Sequence, residues 1–226
     1  MIKAILFDFD GTLSNRQMNA YLMYRDFLKS YFPDLNEIEF EAVLQDMLTF
    51  DCNGTTATHQ RMIPFINKYG DLLSDDFNNR FTEFSLKNMY RFTVLKDETI
   101  EVLEKLKGKY KLGILSNGNP FSQHHKISQV KIEDYFDTIL VSGDLGIHKP
   151  DVKIFEYAAK QLGVRCEECL MVGDVFSSDI LGAIKAGMLP VWILEDTERP
   201  ALDYHSYRIE KLDQLFEILE KEDEKA

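Results

Sequence analysis

The stretch Ile5–Leu13, with the sequence ILFDFDGTL, determines how the rest of the chain is interpreted. Its first half is apolar and rich in residues that favour β-structure, which predicts a buried strand. Asp8 and Asp10 follow directly, ahead of Gly11 and Thr12. Aspartate is unfavourable in strands and costly to bury. Two aspartates at the end of so apolar a segment therefore either mark a harmless strand exit or carry out chemistry there.

Further short apolar runs predict a sheet. The predicted strands are Ile2–Phe7, Lys111–Leu115, Thr138–Val141, Cys169–Val172, Val191–Leu194 and Tyr207–Ile209. Segments with helical spacing lie between them, at Thr99–Leu106, Ile154–Leu162 and Ile180–Ala186. Strands that are apolar on both faces and alternate with helices are typical of a parallel sheet covered on both sides. The expected fold class is therefore α/β.

The segment between the first two strands has a different pattern. From about Asn15 to Arg91 the apolar residues follow helical spacing and no clear strand is visible. A crossover between parallel strands needs only about a dozen residues or more. The surplus indicates a separate helical unit at 15–90, inserted into a core formed by 1–14 and 91–226. Because the insertion begins directly after the two aspartates, we interpret it as a lid rather than as a decorative insertion.

Polar residues follow the predicted strands at one edge of the sheet. In an open parallel sheet, ligands bind beyond the carboxyl ends of the strands. The residues delivered to that edge are Asp8 and Asp10, then Ser116 and Asn117, then Lys149, and finally Asp174 and Asp179. Polar residues placed at random in the loops would rarely bring four acids, a serine, an asparagine and a lysine to one edge. This convergence predicts a functional site.

The residue types at this edge indicate phosphate chemistry. Carboxylates that meet at a point repel one another unless a cation lies among them, and oxygen ligands without Cys or His favour Mg²⁺. A metal beside a lysine, a serine and backbone N–H groups suits a phosphate group. One aspartate can attack phosphorus while its neighbour transfers protons. The residue types alone leave open which of Asp8 and Asp10 is the nucleophile and which transfers protons.

The motifs DFDGTL, ILSNG, HKPD and GDVFSSDI, in this order, resemble the four motifs of the haloacid dehalogenase-like (HAD) hydrolase superfamily. The resemblance covers nearly the whole chain. It implies a Rossmann-like parallel sheet core with an inserted all-helical C1-type cap. The SNG motif and the stretch GIHKPDVKIF look most like the pyrimidine 5′-nucleotidase-type branch. Sugar phosphatases and sialic-acid-9-phosphate phosphatases share much of this pattern.

The resemblance implies a role for each aspartate of the site. Asp8 would be the nucleophile and Asp10 the general acid and base. The side chains of Asp8 and Asp174, with the backbone carbonyl of Asp10, would hold Mg²⁺ as the cofactor. Asp179 would steady Lys149 or the water shell of the metal. The alternative for Asp179 is ordinary complementation of a helix dipole by an acid in the first turn.

The resemblance also implies how phosphate is held. Ser116 and the backbone N–H of Asn117 would bind it, Lys149 would bridge it to Asp8, and Thr12 would support the first loop. The alternative for Lys149 is a solvated residue ahead of a helix that begins with proline.

The expected function is an enzyme that hydrolyses a small organic phosphate monoester, a nucleoside monophosphate or a sugar phosphate, through an aspartyl-phosphate. A phosphosugar mutase of the β-phosphoglucomutase kind and a non-catalytic phosphate-binding protein remain alternatives. Dehalogenases lack the second acid, and phosphonatases usually lack it and add a cap lysine, for which Lys29, Lys68 and Lys87 are candidates. Arg16, Arg61 and the turn Asn53-Gly54-Thr55 are candidate contacts to the leaving group.

Composition limits the partners. The 226 residues carry a formal net charge of -12, which argues against a nucleic-acid surface and against anionic membranes. No apolar run approaches the roughly 20 residues of a membrane helix, and we expect a cytoplasmic protein. The expected partner is a small phosphorylated metabolite, and the sequence leaves monomer or homodimer open. We interpret Cys169 as a core residue, and His124 and His125 as surface residues. The tail Glu220–Ala226 is mostly charged, which predicts disorder there.

Overall fold

The structure, a computed structural model, describes residues 1–51, 60, 62–194 and 206–225. The chain divides into two compact units. The first comprises Met1–Asn15 with Leu95–Ala226, and the second comprises Arg16–Val94. We call them the core unit and the helical unit. Each unit has buried apolar clusters of its own.

The regular structure described in the helical unit is helical, as the fold class predicts. Its helices are α1 (Arg16–Leu28), α2 (Glu37–Phe50), α3 (Ile63–Tyr69) and α4 (Phe77–Asn88). The side chain of Asn36 caps α2 by accepting two backbone N–H groups of its first turn. Aromatic rings fill the interior, where the centroid of Phe27 lies 5.4 Å from that of Phe77 and 5.2 Å from that of Phe81. This interior provides the burial that helices of this length need for stability.

The core unit is built on a parallel sheet that has six strands within the described residues. The strands are β1 (Ala4–Phe7), β2 (Lys111–Ser116), β3 (Thr138–Val141), β4 (Cys169–Gly173), β5 (Leu189–Ile193) and β6 (Tyr207–Ile209). Their order across the sheet is β3-β2-β1-β4-β5-β6, and neighbouring strands are parallel. The predicted strands are confirmed, although several begin or end one or two residues away from the predicted positions.

Helices cover both faces of this sheet. The helices of the core unit are α5 (Thr99–Leu106), α6 (Pro120–Gln129), α7 (Ser142–Leu145), α8 (Val152–Leu162), α9 (Leu181–Ala186) and α10 (Leu215–Glu224). Alternate residues of β1 enter different apolar clusters, Ile5 and Phe7 on one face and Ala4 and Leu6 on the other. This explains why β1 is apolar at every position. No helix among the described residues has both the length and the apolar character to cross a membrane.

Helices α6, α7 and α10 are absent from the sequence prediction. The side chain of Asn119 accepts the backbone N–H of Ser122, and Pro120 occupies the first turn of α6, so a capping signal for this helix was present. The disorder predicted for the tail is wrong for its described part. Helix α10 begins with Leu215, Ile218 and Leu219 buried against the core and continues to Glu224, and Glu222 accepts from the hydroxyl of Tyr207 at 2.6 Å.

Candidate active site

The carboxyl ends of three neighbouring strands meet at one edge of the sheet. Strand β1 lies between β2 and β4, and their register aligns Phe7 with Ile114 and Val172. Asp8 directly follows β1, Ser116 is the last residue of β2, and Asp174 directly follows β4. The convergence expected from the sequence thus follows from the strand order and register.

Lys149 lies at the centre of this edge. Its Nζ is 2.7 Å from Oδ1 of Asp8 and 2.8 Å from Oδ1 of Asp179. The same ammonium group donates to the backbone carbonyl of Leu115 at 2.6 Å. Lys149 is only 4% exposed. A buried ammonium group is tolerated when anionic and carbonyl oxygens replace its water, as they do at this position.

The carboxyl group of Asp8 has a strongly perturbed pKa. Burial raises the pKa of Asp8 to about 8, Lys149 opposes the rise, and the charges of Asp179 and Asp174 add to it. Burial lowers the pKa of Lys149, but the carboxylates of Asp179 and Asp8 outweigh this effect and the pKa is raised overall. Lys149 is therefore positively charged at neutral pH. When Asp8 is ionised, this single charge does not neutralise Asp8, Asp174 and Asp179, which favours a bound cation.

The three acids have the arrangement of a metal site. Asp8, Asp174 and Asp179 each offer a carboxylate oxygen, and these oxygens lie within 4.8 Å of one another. Such a set of hard oxygen donors fits a divalent cation such as Mg²⁺. Two of the predicted ligands, Asp8 and Asp174, belong to this cluster. The third, Asp10, was predicted to bind through its backbone carbonyl, and its side chain makes the separate contacts described below.

Neighbouring residues restrict the position of Asp174. Nε1 of Trp192 donates to the backbone carbonyl of Asp174 at 2.9 Å. Gly11 has a φ of +91°, and a Cβ atom there would lie 2.3 Å from Oδ2 of Asp174. Both the backbone conformation and the available space therefore require glycine at position 11. This requirement explains why a glycine follows the second aspartate of the opening stretch.

The residues predicted to bind phosphate, and Thr12, predicted to support the first loop, lie at the same edge. Ser116 and Thr12 are buried, and their hydroxyl oxygens have no hydrogen-bond partner within the part of the chain that the structure describes. The side chain of Asn117 joins two loops, because its Nδ2 donates to the carbonyl of Lys149 at 3.0 Å and its Oδ1 accepts the N–H of Lys149 at 2.9 Å. The family resemblance implied a role only for the backbone N–H of Asn117. Its side chain fixes the backbone that carries the central lysine.

The side chain of Asp10 contacts residues that the sequence analysis missed. Nε2 of Gln123 donates to Oδ2 of Asp10 at 2.8 Å. Nζ of Lys126 lies 3.0 Å from Oδ1 and 2.8 Å from Oδ2 of the same carboxylate. Both residues belong to α6, so the unpredicted helix is also the source of these contacts. Their spacing of three residues places them on one face of the helix.

One family of known proteins matches most of this chain. A family model described as haloacid dehalogenase-like hydrolase matches residues 2–187. The chain belongs to the haloacid dehalogenase-like hydrolases. The predicted family and the predicted α/β fold class are therefore confirmed.

Relatives of this HAD-like hydrolase are named phosphatases. A glyceraldehyde 3-phosphate phosphatase of Pyrococcus abyssi is 31% identical over 98% of this chain and 95% of the relative. The pyrimidine 5′-nucleotidase YjjG of Escherichia coli is 35% identical over 53% of this chain and 54% of its own. A solved HAD phosphatase from Thermococcus onnurineus superposes with a TM-score of 0.65 at 31% identity, covering 96% of this chain and 98% of that one. The predicted enzyme class, a HAD-like hydrolase of phosphatase type, is confirmed.

The remaining residues named from the sequence have other surroundings or lie outside the described residues. Nε2 of the exposed His124 contacts Oδ2 of Asp144 at 2.7 Å, as expected for a surface histidine. Cys169 is fully buried in β4, and burial raises the pKa of its thiol to about 12, in agreement with a core residue. Arg16 begins α1. Arg61 and the turn 53–55 lie outside the described residues.

Two of the three candidate cap lysines, Lys68 and Lys87, have partners within the helical unit. Lys68 pairs with Asp46, and Lys87 pairs with Glu83 at 2.6 Å, both within the helical unit. Asp10, the second acid that counts against a phosphonatase, is present in the core unit. The presence of Asp10 is therefore the observation that counts against a phosphonatase.

Proposed function

We propose that this HAD-like hydrolase is a Mg²⁺-dependent phosphatase that hydrolyses a small organic phosphate monoester through an aspartyl-phosphate on Asp8. The observation that carries the proposal is the buried group in which Lys149 lies 2.7 Å from Asp8 and 2.8 Å from Asp179, with Asp174 alongside. A carboxylate placed beside fixed positive charge can approach an anionic phosphoryl group. The phosphatase names of relatives that match nearly the whole chain support the same activity.

The reaction has two steps. In the first, an oxygen of Asp8 bonds to phosphorus and the bond from phosphorus to the ester oxygen breaks. The ester oxygen keeps the electron pair, takes the proton carried by Asp10 and leaves as an alcohol. In the second, water attacks phosphorus and gives one proton to Asp10. The bond from phosphorus to Asp8 then breaks, which releases inorganic phosphate and returns both acids to their starting states.

The carboxylate cluster would hold the metal. Asp8 and Asp174, with the backbone carbonyl of Asp10, are the proposed ligands of Mg²⁺. When bound, the ion supplies positive charge that offsets the charge on the phosphoryl oxygens. Asp179 orients Lys149 instead, because it is itself held by the N–H of Val175 at 3.0 Å.

Phosphate binding is assigned to the ends of β2 and β1. The buried hydroxyl of Ser116 is the proposed donor to one phosphate oxygen, together with the backbone N–H of Asn117. Lys149 contributes a charged donor next to Asp8. Thr12 supports the loop that carries both catalytic aspartates. A ligand oxygen would satisfy the buried hydroxyl of Ser116, which has no hydrogen-bond partner among the described residues.

The choice of substrate is assigned to the helical unit, acting as a lid. The chain enters this unit at Arg16, shortly after Asp10 in the sequence. The relative that matches both units is named for glyceraldehyde 3-phosphate, whereas the nucleotidase match covers about half of each chain. We therefore rank a triose phosphate ahead of a pyrimidine 5′-nucleotide as the first substrate to test.

The test is phosphate release from glyceraldehyde 3-phosphate, uridine 5′-monophosphate and p-nitrophenyl phosphate, each with Mg²⁺ and with EDTA. We expect metal-dependent release from at least one alkyl ester. Asp8→Asn should abolish release while leaving the chain folded, as circular dichroism checks, because the nucleophile is lost and the volume is kept. Asp213→Asn, the same substitution at an exposed acid, is the control and should retain full activity.

Other results separate the alternatives. Release that is equal with Mg²⁺ and EDTA would refute the metal assignment. Phosphate release by Asp8→Asn at the wild-type rate would refute the nucleophile assignment. A phosphorylated Asp8 that passes its phosphoryl group to a sugar faster than to water would replace the phosphatase by the mutase. An enzyme without any turnover or phosphorylated intermediate would leave the binding protein as the function.

A further inference from the structure

Helix α6 delivers a glutamine and a lysine to the carboxylate of Asp10. Gln123 is 4% exposed, and its Nε2 contacts both Oδ2 of Asp10 at 2.8 Å and the carbonyl of Asn117 at 3.1 Å. This amide therefore ties the Asp10 side chain to the loop after β2. The position of Asp10 becomes fixed relative to the loop that carries the proposed phosphate donors.

Lys126 contacts both oxygens of Asp10, at 3.0 Å and 2.8 Å. Its side chain is 13% exposed and that of Asp10 is 19% exposed, so this ion pair is largely shielded from water. Two donor contacts from one ammonium group restrict the rotation of the carboxylate about its χ2 torsion. Lys126 thus limits the orientation of Asp10 as well as balancing its charge.

A purely structural role does not explain this arrangement well. Apolar residues of similar volume are generally as stable as a shielded ion pair or more so, because they avoid the cost of removing charge from water. The neighbouring residue Ile127 of α6 is fully apolar and buried in the core. The face of α6 that meets Asp10 instead carries polar groups, and their common target is one carboxylate.

We propose that Gln123 and Lys126 are positioning residues that hold the Asp10 carboxyl group where it can give a proton to the leaving oxygen. The inference rests on the proposed phosphatase function and extends it to a helix outside the motifs. Proton transfer requires heavy-atom distances of about 2.6–3.2 Å, so a carboxyl group that turns freely is a poor donor. A carboxyl group that is already fixed when the substrate binds does not have to be ordered during the reaction.

The experiment compares two esters in Lys126→Met. An alkyl ester needs a proton on its leaving oxygen, whereas p-nitrophenolate leaves as a stable anion without one. The ratio kcat/KM reports the steps up to departure of the leaving group. We expect kcat/KM to fall by about 10- to 100-fold for the faster of glyceraldehyde 3-phosphate and uridine 5′-monophosphate. It should change by less than about 3-fold for p-nitrophenyl phosphate, since the acid is not needed in that step.

Further variants keep the test independent of folding. Lys126→Arg should recover most of the loss, because a guanidinium group can also donate to both carboxylate oxygens. Gln123→Met should show the same dependence on the leaving group, and it provides the test if Lys126→Met does not fold. Lys105→Met, at an exposed ion pair on α5, is the matched control and should leave both ratios unchanged.

Two outcomes overturn the inference alone. Equal losses for the alkyl and aryl esters would mean that Lys126 binds substrate or supports the fold. Full activity of Lys126→Met and Gln123→Met on the alkyl ester would mean that Asp10 needs no positioning. If the wild-type chain releases no phosphate from any ester, the proposed function fails first and the inference falls with it.

Discussion

Replacing Lys149 by Met tests the charge balance at the centre of the site. The ammonium group lies 2.7 Å from Asp8 and 2.8 Å from Asp179, and the lysine side chain is 1% exposed. Met replaces the apolar stem of the lysine up to Cε and lacks only Nζ, so the substitution removes mainly charge. Asp8 and Asp179 then lose the charged donor that they share.

The cost follows from this burial. Removing one partner of a buried ion pair destabilises a protein by about 3–5 kcal/mol. For a chain of this size, each kcal/mol lowers the melting temperature by about 2–4 °C, so the expected decrease is about 6–20 °C in metal-free buffer. Turnover should also be lost, because Lys149 contacts the proposed nucleophile.

The assay is thermal unfolding followed by circular dichroism in EDTA, with three further samples. Lys105→Met removes the charge from an exposed pair with Glu101, 2.5 Å apart, and should cost no more than about 0.5 kcal/mol. Lys149→Met/Asp179→Asn removes one of the uncompensated acids and should melt above Lys149→Met. Added Mg²⁺ should stabilise Lys149→Met by supplying replacement charge.

Particular results would refute this reasoning. A decrease for Lys149→Met no larger than that for Lys105→Met would mean that the central lysine is not needed to compensate the acids. A double variant that melts at or below the temperature of Lys149→Met would mean that lost packing, and not unbalanced charge, causes the instability.

Three further predictions concern the metal site. The pKa of Asp8 is raised to about 8, so the folded metal-free chain holds a proton that the unfolded chain loses near pH 4. The free energy of unfolding should therefore fall as pH rises between about 4 and 8. Calorimetry in buffers of different ionisation enthalpy should also detect proton release when Mg²⁺ binds. No proton release at pH 7 would contradict this. Trp192, the single tryptophan of the chain, donates to Asp174, so its fluorescence should change saturably with Mg²⁺ and the change should vanish in Asp174→Ala. Gly11→Ala places a Cβ atom 2.3 Å from Asp174 and should weaken Mg²⁺ binding, whereas Gly108→Ala, with a φ of +81° and open space around it, should show only the backbone strain of about 1–2 kcal/mol. Equal Mg²⁺ affinity of these two variants would contradict the steric argument.

The sequence by itself determined the sheet and the identity of its polar edge. The strand ends of an α/β sheet can be predicted because a buried strand is apolar at every position, and the exit from β1 is marked by the sudden change from Phe7 to Asp8. The spacing of acids and lysine after successive strands then predicted which side chains would meet. That prediction needed only the rule that parallel strands end at a common edge.

The family resemblance implied that Lys149 meets Asp8 and Asp179, whereas the tertiary structure alone decided the partners of Asp10. Lys149 reaches Asp8 across 141 positions of sequence, and Lys126 reaches Asp10 across 116. Such pairings depend on the register of the strands and the rotation of the helices. The local spacing of residues in the sequence contains no information about either. Residues Phe176–Ile180 form one π-helical turn, which places Asp179 beside Lys149. From the helical pattern alone, complementation of the helix dipole remains an alternative role for Asp179. Sequence pattern records which residues are buried, whereas the compensation of their charges depends on distances that only the folded chain sets.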